Sequence, residues 1–246
     1  MTTLIIAIRC SDGVVIASDS AASDAESGTK QPIKKIRKIP EAPILYGGSG
    51  SVGLLQKISE AINKFKVKQH DDIGKIRSRL KSLIVPKLKE SRELHVPYPQ
   101  FPYDKPPAAV VLFAGVHDKE PWILEIEKDG SDTMYDEELG GFAAIGSGKL
   151  LAQAIFRPHL MTPRDLSLGK VFAYRVIEDS VELAAGGLAL PVQMHSISID
   201  GKVQQIKDEE LRSLADTCQG WRSLERETVG KLLSPDREED VSPPKP

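Results

Sequence analysis

The sequence predicts an α+β fold: a four-layer α-β-β-α sandwich, with two antiparallel sheets held between helical layers. Three observations predict it. β-Branched runs open the chain, recur at its centre and return near its end. Two pairs of amphipathic helical stretches separate those runs. The resulting order is strands, two helices, strands, two helices, strands, helix, which suits helices layered on both sides of stacked sheets.

The opening hairpin organises the rest. Leu4-Ile5-Ile6-Ala7-Ile8 and Val14-Val15-Ile16-Ala17 flank a turn that contains Asp12-Gly13, a strong hairpin signal. The first strand begins almost at Met1, so no leader is expected. Ala21 to Lys30 is small and polar and reads as a loop. Ile33 to Ile39 alternates apolar and basic residues and reads as a strand. Ile44-Leu45-Tyr46 starts another strand, which runs into the glycine-rich Gly47 to Gly53. Leu54, Leu55, Ile58, Ile62 and Phe65 form one helical stripe; Ile73, Ile76, Leu80, Leu83, Ile84 and Leu88 form a second, with Pro86 as a kink or stop.

Arg92 to Pro107, rich in Pro and Tyr, reads as a long loop. Ala108 to Val116 reads as a central strand that turns at His117–Glu120 and returns to Glu127. A short strand near Met134 precedes Phe142-Ala143-Ala144-Ile145 and then Gly146-Ser147-Gly148. A helix follows from Leu150. Thr162-Pro163 resembles the cap and first position of the next helix, which runs to about Ala185. A last strand spans Pro191 to Asp200, Val203 pairs back, and a helix covers about Asp208 to Leu233. Residues 1–204 are read as one domain, 205–233 as a C-terminal helical extension and 234–246 as a charged, Pro-rich disordered tail.

Composition narrows the function. With 33 basic and 35 acidic residues, the net charge of −2 implies no pull toward nucleic acid or anionic membrane. No apolar run approaches the length of a membrane span. Cys10 and Cys218 are too few for a disulfide framework, which suits a reducing cytoplasm. The five histidines show no ligand spacing, so neither metal nor cofactor is expected.

Two stretches carry chemistry. Loss of Met1 would leave Thr2 with a free α-amine beside its own hydroxyl. Such an amine titrates near ~7.7–8.0 and can accept a proton at working pH, which makes the hydroxyl a nucleophile. The plainer reading is that Thr2 and Thr3 merely begin a buried strand. Gly48, Gly50 and Gly53 spell a dinucleotide-binding fingerprint, but the following segment is a second helix rather than a strand ending in an acid. The other use of these glycines is to expose backbone N–H groups to an oxyanion.

Taken together, these segments resemble the β-type subunits of the 20S proteasome and their bacterial relatives, including the ring-forming threonine protease of the HslUV system. These are N-terminal nucleophile hydrolases. The resemblance spans about Thr2 to Asp200 and implies roles residue by residue. Asp19, at the end of the second strand, matches the active-site acid, and Lys35, sixteen residues on, the active-site lysine. Gly47 matches the oxyanion-hole glycine. Ser147 matches the serine that contacts the terminal amine. Before the glycine pair Gly186-Gly187, family members carry an aspartate and a serine; here Glu182 and Ala185 stand in those places.

The implied activity is a threonine endopeptidase: Thr2 attacks, its amine takes the proton, Lys35 and Asp19 supply charge, and Gly47 holds the oxyanion. Ser147 and Glu182 orient the amine. The implied partners are a polypeptide substrate, a homo-oligomeric ring and, by the same resemblance, an ATPase unfoldase. Counting back from Asp19 without gaps makes Thr3 the nucleophile instead; Thr2 requires one extra residue in the Cys10–Gly13 turn. Turn insertions are cheap and Met1 removal exposes only Thr2, so Thr2 is the expected residue. Ala185 and Glu182 motivate a rival reading, a catalytically silent subunit. An amidase acting on a small non-peptide amide is a third.

Overall fold

The computed structural model describes residues 3–23, 30–68, 70–95, 105–184 and 187–233. Two five-stranded antiparallel sheets form its centre. The first contains β1 (Leu4–Cys10), β2 (Gly13–Ser18), β10 (Phe142–Gly146), β11 (Gln193–Ser198) and β12 (Val203–Gln205), in the order β10-β1-β2-β11-β12. The second runs in chain order through β5 (Ile36–Lys38), β6 (Ile44–Gly50), β7 (Ala109–His117), β8 (Glu120–Ile126) and β9 (Asp132–Met134). A short ribbon pairs β3 (Ala21–Ser23) with β4 (Lys30–Pro32).

Three apolar layers follow from strand alternation. On β1, Leu4, Ile6 and Ile8 face the helices α3 (Lys149–Phe156), α4 (Leu166–Leu183) and α5 (Asp208–Leu233), while Ile5 and Ala7 face the other sheet. On β7, Val111 and Phe113 pack under α1 (Val52–Ile62) and α2 (Ile73–Glu93), while Leu112 and Ala114 face inward. A strand buried on both faces needs an unbroken apolar run, which is how these strands read in the sequence. The four-layer expectation is met.

Several local expectations are corrected. The strand expected over Ile33–Ile39 is confined to Ile36–Lys38, and the loop expected from Ala21 begins as β3. α2 does not stop at Pro86 but continues to Glu93, because Leu80, Ile84 and Leu88 stay buried on both sides of it. α4 starts at Leu166, not behind Thr162: Asp165 accepts from the Leu168 N–H at 2.9 Å, and Asp12 accepts from the Leu166 N–H at 2.7 Å. The Thr162 carbonyl is taken by the Arg164 guanidinium.

The last helix keeps its expected bounds, Asp208–Leu233. Its Leu214 and Cys218 join the apolar layer under α4, Arg222 binds Glu178 at 2.7 Å, and Arg175 binds Glu225 at 2.7 Å. The tail 234–246 and most of the Pro/Tyr-rich stretch lie outside the described residues, as do Thr2, Ala185 and Gly186.

One buried group ties the fold to pH. His195 on β11 is 8% exposed and its Nδ1 has no partner among the described residues. Burial, helped by the Lys34 charge, pushes its pKa from 6.5 down to about 4. Above pH 6.5 the ring is neutral in both folded and unfolded chains. As pH falls from 6.5 toward 4, only the unfolded chain takes up the proton, so stability falls. The expected loss from this residue is on the order of 3 kcal/mol. Urea midpoints followed from pH 7 to pH 4 should fall less steeply in His195→Gln; identical slopes would remove His195 as the cause.

Candidate active site

The site forms where β1 begins. Thr3 sits between the end of β2 and the turn that follows β10, and it is 3% exposed. Its N–H donates to Ser147 Oγ at 3.2 Å, and its carbonyl accepts from the Gly148 N–H at 3.3 Å. The two backbone segments approach so closely here that a Cβ on Gly146, at φ +97°, would lie 2.1 Å from the Thr3 carbonyl oxygen. Only glycine permits that approach.

Beside Thr3 lies a buried ion pair. Lys35 Nζ donates to Asp19 Oδ1 at 2.6 Å, and the two side chains are 2% and 0% exposed. Asp19 also accepts three backbone N–H groups, from Leu4 at 2.9 Å, Ala21 at 3.2 Å and Ala189 at 3.4 Å. A buried charge needs this degree of pairing, since removing either partner strands the other in low dielectric. Burial pushes the Lys35 ammonium below its usual pKa, while the hydrogen bond and charge of Asp19 hold it up. The backbone of Lys35 is fixed separately, by its N–H donating to Gln193 Oε1 at 3.1 Å.

Thr3, Lys35 and Gly47 line one cavity. Gly47 lies opposite Ile36 in the sheet, and a Cβ there would meet Ile5 Cδ1 at 2.8 Å and the Lys35 carbonyl at 2.9 Å. β6 therefore tolerates only glycine at this point.

Of the residues expected at the site, Asp19, Lys35, Gly47 and Ser147 are brought together around Thr3. Thr2 lies outside the described residues. Glu182 is exposed in the last turn of α4, and among the described residues no hydrogen bond or ion pair joins it to the others. The chain of contacts passes through Thr3 for a geometric reason. β1 and β2 pair down to Cys10 opposite Gly13, leaving Ser11 and Asp12 as a two-residue loop, the shortest common hairpin connection. The turn holds no extra residue, and Ile5 opposite Ser18 sets Leu4 beside Asp19.

Two further groups carry no signal in the sequence. One is Gln193, a lone amide on a late strand. The other is the pair formed by Glu125 and Lys149, whose Nζ and Oε1 are 2.8 Å apart. Glu125 is 1% exposed and its pKa is raised by burial. The pair ties the start of α3, just after Gly148, to β8.

This stacking of two sheets between helical layers is a proteasome-type fold. A sequence profile described as "Proteasome subunit" matches residues 2–186, so the chain belongs to the proteasome-subunit family. No curated protein matches the chain.

Among solved structures, the Anbu (Gly-1) mutant from Hyphomicrobium sp. strain MC1 is 17% identical at a TM-score of 0.70, over 94% of this chain and 99% of that one. Anbu (ancestral beta-subunit) from Yersinia bercovieri is 13% identical at 0.71, over 93% and 96%. A chain from the helical assembly of the Anbu complex of Pseudomonas aeruginosa is 12% identical at 0.72, over 96% and 100%. At these identities the likeness is one of fold.

The ion pair gives a stability test. Asp19→Ala strands the Lys35 ammonium and three N–H groups and should cost about 3–5 kcal/mol in urea unfolding. Adding Lys35→Met should recover part of it. A loss under about 1 kcal/mol for Asp19→Ala alone would contradict the buried pairing, since that is the range of an exposed pair.

Proposed function

We propose that the chain is a threonine-type peptidase whose nucleophile is the Thr3 hydroxyl, freed by removal of Met1 and Thr2. The observation that carries this reading is the Thr3 N–H on Ser147 Oγ, next to the Asp19–Lys35 pair. Once the Thr2–Thr3 bond is cut, that N–H becomes an α-amine held where a proton must be received.

The chemistry follows from these groups. Thr3 Oγ attacks the substrate carbonyl carbon, and its proton passes to the Thr3 amine, directly or through water. Lys35, held by Asp19, supplies positive charge near the developing alkoxide. The Gly47 N–H receives the oxyanion, a contribution of about 3–4 kcal/mol for a donor of this kind. The amine then protonates the leaving nitrogen, and water hydrolyses the Thr3 ester. Maturation uses the same atoms: Thr3 Oγ attacks the Thr2 carbonyl, the peptide nitrogen leaves as the free amine, and water releases Met1-Thr2. Cys10 and Cys218 are poor rivals, because burial pushes their thiols up to about 12 and about 11.

The substrate is a polypeptide and the working form an assembly of copies, a reading supported by family membership and by the helical assembly solved for the Pseudomonas relative; closure into a ring is the form we propose for this chain. Among the described residues no helix is long and apolar enough to cross a membrane. Two buried free thiols fit a cytoplasmic setting. The exposure of Glu182 favours the second reading, a silent subunit retained for assembly.

Short fluorogenic peptides separate the two. Thr3→Ala should abolish cleavage, by at least about a thousandfold. Thr2→Ala should remain within a few-fold of the parent, with its mature mass still beginning at Thr3. Full activity in Thr3→Ala would overturn the nucleophile. No cleavage by the parent, together with a retained Met1, would establish the silent subunit.

A further inference from the structure

We infer that the cavity beside Thr3 receives the side chain on the acyl side of the scissile bond and selects glutamate there, an inference that rests on the peptidase reading above. The cavity has a volume of about 400 Å³, ample for one long side chain. Three cationic residues line it, Lys34, Lys35 and Arg37, and no aspartate or glutamate does. Lys35 is committed to Asp19. Among the described residues, Lys34 and Arg37 have no carboxylate partner; the Lys34 charge also acts on His195 outside the cavity, so Arg37 is the cation left for a ligand. The cavity is therefore cationic next to a site that must hold an extended peptide.

Two further features sharpen the preference. Tyr46 lines the same cavity, is 3% exposed, and its hydroxyl has no partner among the described residues. A buried hydroxyl without a partner costs free energy, which an acceptor that reached it from the cavity would recover. The remaining walls include Leu55, Ile58 and Val111, an apolar bed for methylenes. The first turn of α1 contains no acid, so its N-terminal partial charge adds to the same field. Glutamate combines two methylenes with an anionic acceptor. A leucine fills the bed but leaves Tyr46 and the cations unanswered. An arginine meets like charge.

The test uses the mature full chain and three fluorogenic peptides that differ only in the residue before the cleaved bond: Glu, Leu or Arg. Arg37 is exposed, so the charge effect is that of a screened pair and the expected kcat/KM advantage of Glu over Leu is about fivefold. Arg should be the poorest. Arg37→Glu should invert the Glu/Arg order. Raising salt to about 0.5 M should narrow the Glu/Leu ratio in the parent chain, which tests the charge term without any substitution. A Leu or Arg peptide cleaved best, with a ratio indifferent to salt and to Arg37→Glu, would overturn the preference and leave the peptidase reading standing. If none of the three is cleaved and a threonine-directed epoxyketone leaves no adduct, the peptidase reading falls and the preference falls with it.

Discussion

The buried contact between Lys35 and Asp19 is the constraint on which the site depends. An ammonium and a carboxylate at 2.6 Å, both almost wholly removed from water, can exist only where backbone amides complete the shell. Three of them do so, and each comes from a different part of the chain: Leu4 at the start of β1, Ala21 after β2 and Ala189 before β11. The pair therefore reports the correct assembly of three distant segments. It also sets a cation beside the residue that precedes β1, the place where a nucleophile needs one.

The sandwich supplies the rigidity for this. β1 is an interior strand of its sheet, hydrogen-bonded to β2 on one side and β10 on the other. Both of its faces are packed, one under α4 and one against the second sheet. Thr3 is thus held by the end of a strand that has no freedom to shift. Gly146 and Gly47 let the neighbouring strands come close enough to supply Ser147 and a backbone N–H, and larger residues would collide with the Thr3 and Lys35 carbonyls. Packing and chemistry are imposed by the same backbone approaches.

Much of this was legible in the sequence, and the reasons differ by feature. The layers could be read because strands buried on both faces leave continuous apolar runs, and the long helices leave stripes. Asp19, Lys35, Gly47 and Ser147 could be gathered because each sits at the end of a strand or in a glycine turn.

What could not be read was set by tertiary contacts. The length of the first turn depends on Gly13 lying against the Ile197 carbonyl, where a Cβ would be 2.1 Å away, and on Asp12 capping α4. Neither contact is local, so the sequence allowed an extra turn residue and favoured Thr2. Asp165 displaced Thr162 as the cap because Arg164 drew the Thr162 carbonyl away. Glu182 aligned with a family acid by spacing alone, and spacing does not fix the last turn of a helix.

The most direct measurement is peptide mapping of the chain after reaction with a threonine-directed epoxyketone. A nucleophile at Thr3 should give a single adduct, on a peptide whose first residue is Thr3. An adduct on a peptide that begins with Thr2, in a preparation that cleaves substrate at full rate, would contradict it.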